Sequence, residues 1–290
     1  MPDARPEAVA AGSGPDVVVR QPRLRRDQEP FIATDASPTT GPGDRAELAA
    51  LTAWVSGAAS GIGQAIAYRL AQAGADVVAT DLRPPLETAR MIGERPGSCL
   101  PLTADTSSAT AVQAAFGQAV ERYGHVDIVV PNAAIGDPAS FLSISEAEWD
   151  RVLAVNLKGA VLMLQAALPA MIERAAGSIV TISSVAARAI SIVNGAHYTC
   201  SKYAIIGLTR HLATELGGTG VRINCVCPGP TLTPRLLDRR SPQNRAAAAE
   251  RTPLRRLADG ADIAEVVLFV AGSRARHVHG AVLDVNGGLY

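Results

Sequence analysis

The chain has 290 residues, 48% of them apolar and 19% charged, and its 27 basic residues are balanced by 27 acidic ones. A formal net charge of zero excludes a protein built to neutralise a nucleic-acid backbone, and no run approaches the ~18 apolar residues of a membrane span. The amino terminus lacks the apolar core of a signal peptide, so a cytoplasmic protein with one large α/β core is expected.

Residues 1–45 form a polar stretch punctuated by prolines, without a sustained apolar period, and are expected to be a flexible extension. The stretch is richer in acids than an acid-poor transit peptide, and its Val17-Val18-Val19 run leaves open an arm that covers a neighbouring subunit. From 46 to 290 short apolar runs alternate with longer amphipathic ones, the pattern of a single domain with a parallel sheet flanked by helices. Strands are expected near 53–56, 76–80, 98–101, 126–130, 178–182, 221–226 and 281–285, and helices near 61–73, 86–94, 108–123, 146–174, 197–217 and 261–271. Right-handed crossovers turn that order into a doubly wound fold whose ligand crevice lies at the carboxyl ends of the strands.

After the first strand comes Ser56-Gly57-Ala58-Ala59-Ser60-Gly61-Ile62-Gly63. Glycines between a strand and a helix let the backbone approach a pyrophosphate, whose charge meets free N–H groups and the positive end of the helix dipole. The second strand ends at Asp81, 24 residues after Gly57. That spacing suits a carboxylate that accepts the ribose hydroxyls and repels a 2′-phosphate. Ser60 offers no cation to such a phosphate, so NAD is expected over NADP; Arg83, two residues beyond Asp81, keeps NADP open.

Lys158 and Lys202 are the only lysines in the sequence. A lysine retained in so arginine-rich a chain marks a place where a guanidinium does not substitute. Tyr198 and Lys202 stand four residues apart, which on a helix puts both side chains on one face. An ammonium beside a phenol favours the phenolate and brings a tyrosine within reach of acid/base work. Upstream, Ser183 and Ser184 bring hydroxyls to the end of the fifth strand, and Asn156 falls in the long helix 146–174.

Together these motifs resemble the short-chain dehydrogenase/reductase family in its smaller, single-domain form, over residues 51 to 290. The resemblance implies a Rossmann-like fold in which Tyr198 is the general acid/base and Lys202 lowers its pKa and binds the nicotinamide ribose. Ser184, rather than Ser183, binds the substrate oxygen, and Asn156 supports a water-linked proton relay. It also implies cofactor contacts from Gly57, Ser60, Gly61, Ile62, Gly63, Asp81, Asp105, Thr106, Asn132, Pro228, Gly229, Thr231 and Thr233. Ser56 stands where the family has threonine, Asn132-Ala133-Ala134 departs from its Asn-Asn-Ala-Gly turn, and the spacing of 14 from Ser184 to Tyr198 is one longer than usual. The family further implies a homotetramer or homodimer paired through helices 146–174 and 197–217.

Specificity is expected in residues 185–197, an apolar loop with Ile190, Ile192 and Val193, and in a lid over 232–256. Arg235, Arg239, Arg240, Arg245, Arg251, Arg255 and Arg256 of that lid are expected to line a solvated face, with an anionic substrate as the alternative. His197 is open between substrate contact and packing or capping. The four cysteines are read as reduced packing residues, with no metal site. The expected partner is a small alcohol or ketone. The alternatives are an NADPH-dependent 3-oxoacyl-thioester reductase and a catalytically silent NAD sensor.

Overall fold

The computed structural model describes residues 47–93, 97–191 and 193–290. The extension expected at 1–45 lies outside them, as do Glu94, the expected end of the second helix, and Ile192. Seven strands form one parallel sheet in the order β3-β2-β1-β4-β5-β6-β7. They are β1 (Thr52–Ser56), β2 (Asp76–Asp81), β3 (Cys99–Thr103), β4 (Ile128–Val130), β5 (Gly177–Ile182), β6 (Val221–Pro228) and β7 (Val282–Val285). The helices are α1 (Gly61–Gln72), α2 (Leu86–Ile92), α3 (Ala109–Tyr123), α4 (Glu146–Leu153), α5 (Gly159–Glu173), α6 (Ala196–Glu215), α7 (Pro234–Arg239), α8 (Pro242–Arg251) and α9 (Gly260–Ala271).

Both faces of the sheet are covered, and the two-residue period of a strand sorts its side chains between them. Ala53 and Val55 of β1, with Ile128 and Val130 of β4, meet Ile66 and Leu70 of α1 and Val267 and Leu268 of α9 in one core. Trp54 and Val129, pointing the other way, pack with Val112 of α3 and Met163 and Met171 of α5 in a second. Strand β3 runs further than expected because it pairs with β2 from Val77↔Cys99 through Asp81↔Thr103. Its Pro101 is tolerated because β3 is an edge strand, where a missing N–H leaves no partner unpaired.

The long helix expected over 146–174 is interrupted by a π-helical turn at Ala154–Lys158 between α4 and α5. The apolar spacing on either side gives no sign of it. Within Glu146–Glu173 one 18-residue window reaches a mean hydropathy of 1.5, although Asn156 and Lys158 interrupt its apolar residues. In this fold its apolar side chains Met163, Leu164 and Met171 are buried against the sheet.

The order of the strands reverses between β1 and β4, and the ligand crevice opens there. The turn after β1 is packed so closely that a Cβ at Gly63 would lie 2.2 Å from the Gly57 carbonyl oxygen and 2.5 Å from Asn132 Nδ2. Gly63→Ala is therefore expected to lower the unfolding free energy by about 1–3 kcal/mol through overpacking. Gly117, inside α3 with nothing within 4 Å of a built Cβ, is the opposite case. Gly117→Ala is expected to raise stability by roughly 0.5–1 kcal/mol. Urea titration of both variants checks the pair.

Candidate active site

At the switch point Ser56 and Asn132 tie the two strand ends together. The Ser56 hydroxyl accepts the N–H groups of Asn132 and Ala133, each at 3.1 Å, while the Asn132 amide donates to the carbonyls of Ser56 at 2.9 Å and Gly57 at 3.3 Å. Serine thus supplies the hydroxyl that threonine would. Gly57 (φ 65°) and Gly61 (φ 62°) occupy the left-handed region that favours glycine. Ser60 begins α1 without capping any of its amides through its side chain. The result is a strand-to-helix cradle with free N–H groups and no Cβ in the way, which fits the pyrophosphate of a dinucleotide.

This cradle opens into a cleft of about 880 Å³. Every expected site residue lines it except Asn156. Asp81 closes the adenosine end, where its carboxylate accepts the Ala59 N–H at 3.0 Å and the Arg83 N–H at 3.2 Å. Its remaining lone pairs are available to hydroxyl donors. Asp105 takes the N–H and hydroxyl of Ser107 on one oxygen, and Thr106 is buried against Gly159. On the far side Pro228 ends β6, Thr231 bonds the Gly229 carbonyl, and Thr233 sits over Gly61 while capping α7.

At the end of β5 the two serines part. Ser183 is buried and donates to the Lys202 carbonyl at 2.7 Å, whereas Ser184 lines the cleft beside the Tyr198 phenol and accepts from Ala186 N–H. Tyr198 projects from the first turn of α6, with its ring packed under Gly136, where a Cβ would come within 2.6 Å of it. Lys202 follows one turn later, almost fully buried, with Nζ 5.8 Å from the centre of the Tyr198 ring and 2.9 Å from the Ile182 carbonyl. Burial lowers the Lys202 ammonium to about 8.

The expectation that Lys202 lowers the phenol pKa is not what this geometry gives. Burial pushes Tyr198 above its ordinary value, and the groups that pull it down are the Ser184 hydroxyl and the Arg235 guanidinium. Asn156 lies beneath the cleft rather than in it, 2% exposed, in the π-helical turn. Its amide exchanges two 2.8 Å bonds with the backbone of Ile135 and donates to Ser201 Oγ, which in turn donates to the Tyr198 carbonyl. Asn156 therefore fixes α6 against the loop after β4. His197 resolves to packing and capping: it is fully buried, faces Trp149, and its Nδ1 accepts the Tyr198 N–H at 2.9 Å.

The lid departs further from expectation. Arg235, Arg239, Arg240 and Arg251 line the cleft rather than a purely solvated face. Arg235 reaches the carbonyls of Ala134 and Gly136, and Arg239 bonds the Gly136 carbonyl at 2.6 Å and pairs with Asp137. The lid helices carry signals that sequence reading passed over: Thr233-Pro234 and Ser241-Pro242 each place a capping hydroxyl before a proline in the first turn. Of the cysteines, Cys225 and Cys227 are buried and Cys99 is partly so, but Cys200 is exposed and packs into no core.

A family profile described as enoyl-(acyl carrier protein) reductase matches residues 57–290. An uncharacterized short-chain type dehydrogenase/reductase of Sinorhizobium fredii is 37% identical over 245 residues, 82% of this chain and 96% of its own. The human (3R)-3-hydroxyacyl-CoA dehydrogenase is 38% identical over 255 residues, 84% of this chain and 97% of its own. A solved structure from Agrobacterium tumefaciens with bound NADP, assigned provisionally as a 2-deoxy-D-gluconate 3-dehydrogenase, superposes with a TM-score of 0.76 at 34% identity, over 84% of this chain and 97% of its own.

The buried lysine has a measurable cost. Between about 8 and the ordinary 10.5 the Lys202 amine is neutral in the native protein yet protonated in the unfolded chain, so stability rises with pH across that window. Below it the native state holds a buried ammonium. Lys202→Met is expected to unfold a few degrees higher than the parent at pH 7, with the difference shrinking as pH climbs through the window. Thermal scans at stepped pH check this; a less stable variant at pH 7 would show that the bond to Ile182 outweighs the desolvation.

Proposed function

The chain belongs to the short-chain dehydrogenase/reductase family, and we propose that it interconverts a secondary alcohol and a ketone with NAD(H), Tyr198 giving and taking the proton. The observation that carries this reading is the phenol of Tyr198 beside the Ser184 hydroxyl in the cleft that begins at the glycine cradle. Bound there, the nicotinamide supplies or receives the hydride. Negative charge grows on the carbonyl oxygen during reduction, and Ser184 and Tyr198 offer two fixed hydroxyls to it while Tyr198 delivers the proton. A phenol held above its ordinary pKa is protonated at neutral pH, the state that reduction needs. Lys202 stands ready to bond ribose hydroxyls one turn behind.

NAD over NADP rests on Asp81. Its carboxylate lines the adenosine end, Ser60 brings no charge, and Arg83 is exposed and absent from the cleft lining. The likeness to a protein that holds NADP does not choose between the two, and the carboxylate is what supports NAD. A second reading, reduction of a 3-oxoacyl thioester, draws on the name of the human relative.

Tyr198→Phe is expected to cut turnover at least about 100-fold while the quenching or enhancement of NADH fluorescence on binding is retained. Parent-like turnover in that variant would sink the mechanism. Asp81→Asn is expected to raise the KM for NAD by roughly 10- to 100-fold, through loss of charge-assisted bonds to the ribose, and to improve the use of NADP. Steady-state kinetics with both cofactors checks it: equal use of NAD and NADP by the parent protein would refute the assignment.

A further inference from the structure

The cleft also carries Arg235, Arg239, Arg240 and Arg251, and among the described residues no Asp or Glu side chain lines it beside them. The two acidic residues that do line the cleft, Asp81 and Asp105, stand at the ends of β2 and β3, on the adenosine side. Asp137 neutralises Arg239 from outside the cleft and also reaches Arg151 at 3.5 Å. Arg235 has no such partner among the described residues. It is half-buried and its guanidinium meets the neutral carbonyls of Ala134 and Gly136; desolvation and the neighbouring Arg239 act against its charge more than Tyr198 and Asp137 support it.

The Gly136 carbonyl is also oversubscribed. It receives N–H groups from both Arg235 and Arg239, and the Asn194 amide, turned to satisfy both of its ends, donates to it as well at 3.0 Å. A carbonyl has two lone pairs, so guanidinium donors are left over. Gly136 packs directly on the Tyr198 ring, which puts those surplus donors beside the reacting centre.

We propose that Arg235 is the anchor for a carboxylate of the substrate, so that the alcohol or ketone handled at Tyr198 is a hydroxy or oxo acid with its free carboxylate a few bonds from the carbinol carbon. This deepens the alcohol/ketone reading and rests on Tyr198 as proton donor. A free acid pairs the half-buried guanidinium with a planar, bidentate partner. A thioester in the same place brings a neutral carbonyl and leaves the charge unpaired in a desolvated site, which is unfavourable. The observation therefore separates the acid from the thioester.

The test separates binding from chemistry. In a Tyr198→Phe background with NADH bound, calorimetric titration compares pyruvate, acetoacetate and levulinate with their methyl esters. At least one acid is expected to bind about 30-fold more tightly than its ester, a preference that Arg235→Leu abolishes and Arg235→Lys keeps in part. Esters binding as well as acids would overturn the proposal. So would a parallel loss of acid and ester binding in Arg235→Leu, which would make the guanidinium a loop clamp. A fall in NADH affinity in that variant would overturn it by assigning Arg235 to cofactor phosphate. Turnover by the parent protein is read separately: acid binding with no turnover would sink the Tyr198 mechanism and leave the anion site standing.

Discussion

Where the strand order of a parallel sheet reverses, the two chain segments leaving the neighbouring strands part and their backbone groups lose ladder partners, and here the carboxyl ends of β1 and β4 meet that demand with side chains. Ser56 takes two amides of the β4 loop on one hydroxyl, and Asn132 returns two donors to the carbonyls of Ser56 and Gly57. Buried backbone polar groups left without partners would each cost of the order of 1–3 kcal/mol. Meeting the demand draws the β4 loop onto the glycine turn, so closely that residues 57 and 63 have no room for a Cβ. The cradle, the floor of the cleft and the position of Ile135 above Asn156 all follow from that stitch.

Asn156 extends the same logic to α6. The π-helical turn places its amide where both ends engage the Ile135 backbone, and a third bond runs to Ser201 and on to the carbonyl of Tyr198. His197 holds the same residue from the other side by accepting its N–H. The Tyr198 backbone is thus fixed at both its polar groups by side chains from beneath the cleft. A phenol so positioned can act without first being ordered, which is the part of the barrier that geometry lowers.

Much of this was legible in the chain because it obeys local rules. The glycine turn needs a strand before it and a helix after it, and both are marked by period. Tyr198 and Lys202 are related by a single helical turn. Other features depend on contacts distant in sequence. The π-helical turn leaves the apolar spacing of 146–174 unchanged, so nothing in the sequence marks it. The lid arginines look like a solvated face because their partners, the carbonyls of Ala134 and Gly136, lie about a hundred positions away and have no side-chain signature. The influence of Arg235 on the Tyr198 phenol was hidden for the same reason: Lys202 is nearer in sequence, but its ammonium is directed to the Ile182 carbonyl.

That distribution of charge bears on the direction of catalysis. Inside a desolvated cleft each charge acts strongly on its neighbours, and Arg235 is the cation that holds the Tyr198 phenol down against burial. A carboxylate bound to Arg235 cancels that influence, and the phenol then holds its proton more firmly in the complex than in the free protein. A tightly held proton suits an acid more than a base. An oxo acid bound at the lid arginine would therefore meet a tyrosine already in the state that ketone reduction requires, whereas oxidation of the hydroxy acid would have to wait for higher pH to supply the phenolate.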